Sequence, residues 1–494
     1  MCVIGNPPYS VSSTNKNDWI EGLISDYKRD LKEKSYNSLS DDYVKFIRYG
    51  QYFVEKNGNG ILAYISNNSF IDGIVFRQMR KHLLECFDTI YILDLHGNAK
   101  KKEVCPDGSA DQNVFDIMQG VSINIFVKTG KKSKNELGEI KHFDLRGKRE
   151  FKYQYLINNN INSIDWGKLN YSIPNYFFIQ KNFIESDKYI KGFKIDELFS
   201  TNSVGIVTSL DAVLIGFSHQ ELINQVETYY NSKIDKSLII KFDYRIFDKR
   251  FIYYNLKLID RARNKVMRHV LQKNTVLNIP KQAIKGFNHV FLGNSPCDKN
   301  FIDSAGQFGA GNAFPLYLYL ETTSQQTIHQ TTERTPNLNT EIVHQIAKQL
   351  GLSFTNEKET ITGTFAPIDL LDYIYAVLHS PTYREKYKEF LKIDFPRVPY
   401  PKDVTSFWQL VKLGGQIRQI HLLESPVVEN YITQYPIDGD NVVTKIKFEE
   451  NYEIIDGNCI TMMDSVYKMG RVYINDFQFF QMVPLNAWSF YIGG

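Results

Sequence analysis

The sequence predicts an α/β fold with a largely parallel sheet in its first part, followed by a mixed, loop-rich α+β region. Two observations predict this. Over the first 130 residues, apolar runs of strand length alternate with segments of helical spacing. From about residue 150 the texture changes to short aromatic-rich segments punctuated by Asn, Gly and Pro. A chain of 494 residues amounts to about three domains at ~150 residues each, and the expected regions are 1–150, 151–330 and 331–494.

Each element has its own reason. Cys2 to Ile4 is a short apolar stub. Asp41 to Val54 has helical spacing at Tyr43, Val44, Ile47 and Tyr52, and Gly60 to Ile65 reads as a buried strand. Helix follows at Phe76 to Phe87, then strands at Thr89 to Leu95 and Val121 to Val127. Lys128 to Lys134 is polar and basic around Gly130, which marks a turn or loop. Ser324 to Asn339, rich in Thr, Gln and Asn, is the expected linker or exposed loop. Asp369 to Phe390 is expected to be helical with a break near Pro381, and Pro396, Pro399 and Pro401 enforce an extended segment after it. No repeat stands at any fixed period.

Composition excludes several classes. With 43% hydrophobic and 14% aromatic residues the chain has ample material for packed cores, so disorder is not its main state. Lys+Arg 58 against Asp+Glu 55 gives a net charge of +3, so any nucleic-acid surface must be a local patch. Cys2, Cys86, Cys105, Cys297 and Cys459 are odd in number and contain no C-x-x-C pair, which is neither a disulfide framework nor a zinc site. No apolar run has the ~18 residues of a membrane helix, and the opening lacks the regions of a signal peptide. A soluble cytoplasmic protein is expected, with no membrane partner.

The informative stretch is Ile4-Gly5-Asn6-Pro7-Pro8-Tyr9. A strand end, a glycine, an amide and two prolines make a stiff turn that fixes Asn6 and Tyr9 at the carboxyl edge of a sheet, where open α/β sheets bind ligands. Two prolines remove two backbone donors and lock φ, so the Asn6 amide oxygen and the Pro7 carbonyl can be aimed as acceptors at one point. Two converging acceptors suit an amino group. The exocyclic amine of adenine is a poor nucleophile because its lone pair is delocalised into the ring; accepting both of its N–H bonds draws that pair toward an electrophile such as the methyl of S-adenosylmethionine. Tyr9 then offers a face for a base extruded from the duplex. The same tetrapeptide also serves elsewhere as a strand-terminating turn with a surface tyrosine.

On these residues the chain resembles the N6-adenine DNA methyltransferases of the gamma arrangement, whose catalytic motif is Asn-Pro-Pro-Tyr. The resemblance implies that Asn6 and the Pro7 carbonyl bind the amino group, with Pro8 stiffening the turn, and that Tyr9 stacks on the flipped adenine. Ile61 to Ile71 is similar to the strand and turn that follow the motif in that family, with Ser66 or Asn67 where a proline is usual. Val114 to Lys128 is similar to the family's hairpin, which makes Phe115 the second aromatic wall; read alone, Phe115 is better taken as an ordinary core residue before a strand. More narrowly, the chain resembles the methylase and specificity portions of type ISP restriction-modification enzymes, through residues 94–98, 105–108, 243–247, 314–319, 393–401 and 488–494. The implied fold is the C-terminal half of a Rossmann-like methyltransferase sheet followed by a target-recognition region.

Methyl transfer needs a cofactor pocket, normally a glycine-rich turn after the first strand with an acidic residue on the second. Only Met1 to Ile4 precede Gly5, and the family's catalytic turn follows its fourth strand, so strands one to three are expected outside the chain. Tyr491 to Gly494 resembles a point where the family continues. Gly58-Asn-Gly60 precedes a strand instead of following one, and Gly309-Ala-Gly311 lacks a strand–glycine–helix frame. The family's cofactor is S-adenosylmethionine, with its binding residues in this chain unknown. A sheet beginning at the fourth strand leaves an unpaired edge, for which a separately encoded methylase, helicase or nuclease polypeptide is the candidate partner. No Walker A motif or helicase signature occurs.

Lys241 to His269 carries nine Lys/Arg and six aromatics against three acids, the composition of a stripe that tracks phosphates, with Lys241, Arg245, Lys249, Arg250, Arg261 and Arg263 as candidates for contact with double-stranded DNA. A solvated strand and helix with inward aromatics fits the same composition. Arg397, between Pro396 and Pro399, is set for either a phosphate or a structural salt bridge. His96, His142 and His421 show no metal-ligand spacing, and no metal is expected. The function expected is site-specific adenine methylation in a restriction-modification system; the alternative is a catalytically inert DNA-specificity module.

Overall fold

In the computed structural model of the chain, the described residues are 1–10, 13–31, 36–99, 103–133, 135–181, 185–283, 286–303, 310–320, 333–450 and 468–490. The calls on Lys134, Ser324 to 332, Gly309, Cys459 and Tyr491 to Gly494 fall wholly or partly outside them. The chain divides into two units, Met1–Asn182 and Phe183–Gly494.

The first unit is built on one six-stranded sheet. Its strands are β1 (Cys2–Gly5), β2 (Gly60–Asn67), β3 (Thr89–His96), β4 (Val121–Lys128), β5 (Glu139–Asp144) and β6 (Gly167–Leu169), in the spatial order β1-β2-β4-β3-β5-β6. The helices are α1 (Asp18–Lys28), α2 (Asp42–Asn57), the single turn α3 (Ser69–Asp72), α4 (Arg77–Cys86) and α5 (Arg149–Asn158).

β1 and β2 pair in parallel, as do β3 and β5, whereas β4 is antiparallel to both β2 and β3 and β6 is antiparallel to β5. The expectation of a largely parallel sheet is therefore corrected to a mixed one. The strands β1, β2, β3 and β5 share a direction; β4 returns directly after β3 without a crossover helix, and that geometry forces the reversal.

Local sequence explains these elements. In α2, Tyr43, Val44, Ile47 and Val54 are buried on one face, and the helix stops at Gly58 in the left-handed region at φ 81°. Gly50 lets α2 settle on the sheet, since a Cβ there would lie 2.5 Å from Leu62 Cδ1. On β2, Leu62, Tyr64 and Ser66 are buried on the face covered by α2 and α4, and Ile61 on the other face is exposed. The second face is covered toward β3 and β5, where Tyr155 and Leu156 of α5 pack on Leu93, Leu95 and Leu145. β1 pairs only with β2 among the described strands, and Ile4 is 80% exposed.

The first unit extends beyond residue 150 because β6 joins the sheet and Tyr176 and Phe178 enter the core beside Phe70. Arg80, fully buried, fixes this return by donating from Nη1 to the Phe70 and Gly73 carbonyls at 2.6 and 2.8 Å and from Nη2 to Asn175 O at 2.7 Å.

The second unit is continuous across residue 330, where Tyr317–Tyr319 pairs with Arg334–Pro336. Its main core gathers around the helix Pro367–His379, buried along nearly its whole length and packed on the helix Val404–His421. Gly414 permits that crossing, because a Cβ there would overlap the Asp372 carbonyl. The predicted break before Pro381 is present: separate short helices Pro381–Lys386 and Lys388–Leu391 follow. A second core lies under the hairpin Ile239–Arg245/Asp248–Tyr253 and the helix His219–Tyr230. No helix among the described residues is long and apolar enough to cross a membrane.

Candidate active site

β1 ends at Gly5 and releases the chain into Asn6-Pro7-Pro8-Tyr9 at the carboxyl edge of the sheet. Pro7 is buried, Tyr9 half-buried, and Asn6 and Pro8 exposed. The turn is anchored just beyond its end: Ser10 N donates to Asp41 Oδ1 at 2.8 Å, and Asp42 N donates to Ser10 O at 3.3 Å. Asp41 caps α2, so a charge at a helix start holds the turn in place.

Asn6 is not consumed by this anchoring. Its Oδ1 lies 3.5 Å from the Tyr9 hydroxyl, at the long limit of a hydrogen bond. No other described residue bonds its carboxamide, and none donates to the Pro7 carbonyl. Two acceptors on consecutive residues, the exposed Asn6 and the buried Pro7, thus lack a strong hydrogen bond among the described residues. The Tyr9 ring meets Tyr43 edge-on, with centroids 6.2 Å apart. Burial, reinforced by the Asp41 charge, pushes its phenol up to about 12, so Tyr9 is a neutral ring and not a base at physiological pH.

Phe115 sits in the loop between β3 and β4. Both Tyr9 and Phe115 border the cluster of Leu93, Leu95, Val114, Val121 and Leu145, so the two aromatics share one apolar floor. Phe115 is held by groups that the sequence reading does not single out. Its N–H donates to Asn113 Oδ1 at 2.8 Å, while Asn113 Nδ2 donates to the Gly97 and Gln119 carbonyls at 3.0 and 2.6 Å. Gly97 has φ 78°, and a Cβ on it would come 2.4 Å from Asn113 Cα, so only glycine fits. From α5, Arg149 Nη2 donates to Phe115 O at 3.0 Å, and Lys152 Nζ donates to the Leu95 and Gln112 carbonyls, both at 2.6 Å. A lysine amid the apolar face of a helix is the one signal that points to this wiring; its carbonyl partners Gln112 and Leu95 lie 40 and 57 residues away in sequence.

Of the glycines weighed as cofactor loops, Gly58 caps α2 and Gly60 passes under β1, where a Cβ would lie 2.6 Å from Met1 O. Gly311 begins a strand with Ile302 against it. These residues do not form a pocket for S-adenosylmethionine.

The basic candidates of the second unit separate by environment. Arg245 pairs with Asp298 at 2.7 Å and lies over the Tyr244 ring, and Arg250 pairs with Asp248 at 2.7 Å between the Phe217 and Tyr244 rings. Lys249 donates to Asn294 Oδ1 at 3.0 Å, and Arg261 pairs with Asp260 at 3.5 Å. Arg263 is half-buried with φ 52°. Arg397 donates to Gly192 O at 2.9 Å and pairs with Glu197 at 3.3 Å. Lys241 is exposed and has no ion pair among the described residues. Phe242, Tyr253 and Tyr254 are buried, while Phe247 is 55% exposed at the hairpin tip with φ 63°.

The family model for the Type ISP C-terminal specificity domain matches residues 230–494, more than half of the chain. The chain belongs to the Type ISP specificity-domain family. A second family model, the Eco57I restriction-modification methylase, matches residues 1–100, the stretch that holds β1, the Asn-Pro-Pro-Tyr turn and β2. No curated protein matches the chain.

Solved structures extend the likeness in fold over the whole of this chain. The ATP-dependent Type ISP restriction-modification enzyme LlaBIII bound to DNA aligns with TM-score 0.73 at 22% identity, covering 100% of this chain and 34% of that one. A nuclease-deletion mutant of the Type ISP enzyme LlaGI with a DNA substrate mimic aligns with TM-score 0.69 at 21% identity, covering 99% and 39%. The DrdV–DNA complex aligns with TM-score 0.70 at 20% identity, covering 99% and 51%. The chain spans about a third to a half of the length of these proteins.

Proposed function

We propose that the chain is the catalytic-motif and target-recognition portion of a site-specific DNA methyltransferase of a restriction-modification system, modifying N6 of an adenine flipped out of double-stranded DNA. One observation carries the reading: Asn6 is exposed with its Oδ1 met only by the Tyr9 hydroxyl at 3.5 Å, and the carbonyl of the buried Pro7 that follows it accepts no hydrogen bond among the described residues. Asn6 Oδ1 and Pro7 O accept the two N–H bonds of the exocyclic amine, which localises its lone pair for attack. Tyr9 and Phe115 close on the two faces of the base, and Pro7, which is buried, and Pro8, which is exposed, keep the acceptors fixed.

S-adenosylmethionine is the methyl source proposed from the methylase family match. A further segment along the open edge of β1 is proposed to supply most of its pocket, in the same polypeptide or a separately encoded one. The regions 151–330 and 331–494 are proposed to recognise the target, with Lys241 as the best-placed phosphate contact and Phe247 as the exposed aromatic of the hairpin.

The experiment is expression of the chain together with its adjoining reading frame in a methylation-free host, followed by sequencing of the host DNA for N6-methyladenine. Methylation at one defined sequence, absent with Asn6→Ala, is expected. Duplex binding without any modified adenine in the wild type favours the inert specificity module.

A further inference from the structure

We infer that Lys45, together with Asp41 one helical turn before it at the start of α2, is a positioning residue for the Asn-Pro-Pro-Tyr turn, a role that rests on the proposed function.

The start of α2 meets the chain after the turn at three successive levels. Asp41, 3% exposed, accepts the Ser10 N–H on Oδ1 at 2.8 Å. Ser10 N belongs to the peptide plane that also carries the Tyr9 carbonyl, so this bond fixes the direction in which the chain leaves Tyr9. Asp42 N holds the Ser10 carbonyl from the other side at 3.3 Å. Tyr43, buried, meets the Tyr9 ring at 90°.

Lys45 forms the third level. Its side chain is 1% exposed, and it sits next to Val44 on the buried part of the helix. An ammonium in such a place is tolerated only where acceptors surround it. Every acceptor it has among the described residues comes from the segment that follows the turn. Nζ donates to the Asn15 carbonyl, lies 3.4 Å from Ser13 Oγ and pairs with Glu21 Oε1 of α1 at 2.9 Å. The Lys45 hydrogen bond in turn holds the Glu21 carboxyl below its ordinary value, against the effect of burial. Ser13 is itself 3% exposed, donates from Oγ to Asp42 Oδ1 at 2.5 Å and accepts from Asn15 N at 3.1 Å. Asp42 thus touches both Ser10 and Ser13, which links the Asp41 contact to the Lys45 contact.

Helix packing alone does not call for this arrangement. α2 already buries Tyr43, Val44, Ile47 and Val54, and a methionine at position 45 would fill similar space with no charge to satisfy. What the lysine adds is direction. A carbonyl, a hydroxyl and a carboxylate must all reach one Nζ, which sets the path of the segment that leaves Tyr9 against a rigid helix. Placement on that scale matters to the proposed reaction, because a shift near 1 Å at a reacting group costs about 10²-fold in rate.

The test combines amide exchange in the full chain with turnover in the assembled enzyme, for the wild type, Lys45→Met, Asp41→Ala and Asp41→Asn. In Lys45→Met and Asp41→Ala the Ser10 and Asn15 amides should exchange about tenfold faster than in the wild type. Methyl transfer at saturating DNA should slow by about tenfold, while affinity for the target duplex stays within about threefold. Asp41→Asn keeps an acceptor for the Ser10 N–H and should retain most of the wild-type rate, a rescue that a general loss of folding would not give. Lys45→Met is close in size to lysine and reports even where Asp41→Ala fails to fold. Unchanged exchange in Lys45→Met and Asp41→Ala overturns the inference whatever the turnover, and faster exchange with unchanged turnover overturns it as well. A wild type whose amides are protected but which modifies no adenine overturns the proposed function and the role together, which sets that failure apart from the other two.

Discussion

Lys152 and Asp111 form an ion pair at 2.9 Å in which neither side chain has any exposure to solvent. Lys152 Nζ also bonds two carbonyls, Leu95 O and Gln112 O, so the pair ties α5 to the end of β3 and to the loop that leads to Phe115.

Removing one partner strands the other charge in the core. Lys152→Met is therefore expected to destabilise the protein by about 3–5 kcal/mol in urea unfolding. The double variant Lys152→Met/Asp111→Leu should recover a large part of that loss. A single variant within about 1 kcal/mol of wild type would show that the pair contributes little.

Asn113 holds Phe115 through its backbone N–H. Asn113→Ala removes its donation to the Gly97 and Gln119 carbonyls and its acceptance from the Phe115 N–H. Under the proposed function, methylation in the assembled enzyme should slow by about tenfold, because a wall of the base pocket loses its register. The melting temperature should fall by only a few degrees. Unchanged turnover would separate Phe115 from base stacking.

His379 sets a pH dependence. Burial first, then the neighbouring Arg384 guanidinium, lower its pKa to about 3. Folding therefore favours the neutral ring. The stability this contributes is present above the unfolded value near 6.5 and is lost as the pH falls from there toward 3. His379→Gln should flatten the dependence of the urea midpoint on pH across the window from 6.5 to about 4; an identical slope in both proteins contradicts the assignment.

Lys241 and Arg245 should behave differently although one basic run contains both. Lys241 is exposed without an ion pair among the described residues, and Arg245 is held by Asp298 at 2.7 Å. Lys241→Ala is expected to weaken duplex binding uniformly across sequences and to lower the salt slope by about 1. Arg245→Ala should act mainly on thermal stability. Fluorescence anisotropy over a range of salt concentrations, with calorimetric melting, distinguishes them.

Much of the first unit was legible from local patterns. Tyr43, Val44 and Ile47 give α2 its face, the run from Gly60 gives β2, and the prolines after Asn6 give the turn. These depend on neighbours in sequence. The reversed direction of β4 was not legible, because direction in a sheet is set by register with β2 and β3, far apart in the chain. The basic run was legible as composition only. Whether Arg245, Arg250 or Arg397 is free depends on Asp298, Asp248 and Glu197, and of these three carboxylates only Asp248 lies within the run itself.

The most direct measurement is the separation of binding from turnover in Asn6→Ala within the assembled enzyme. The account predicts that methyl transfer falls by at least about 10²–10³-fold while affinity for the target duplex stays within about threefold. Equal loss of binding and turnover, or transfer that survives without the carboxamide, would contradict it.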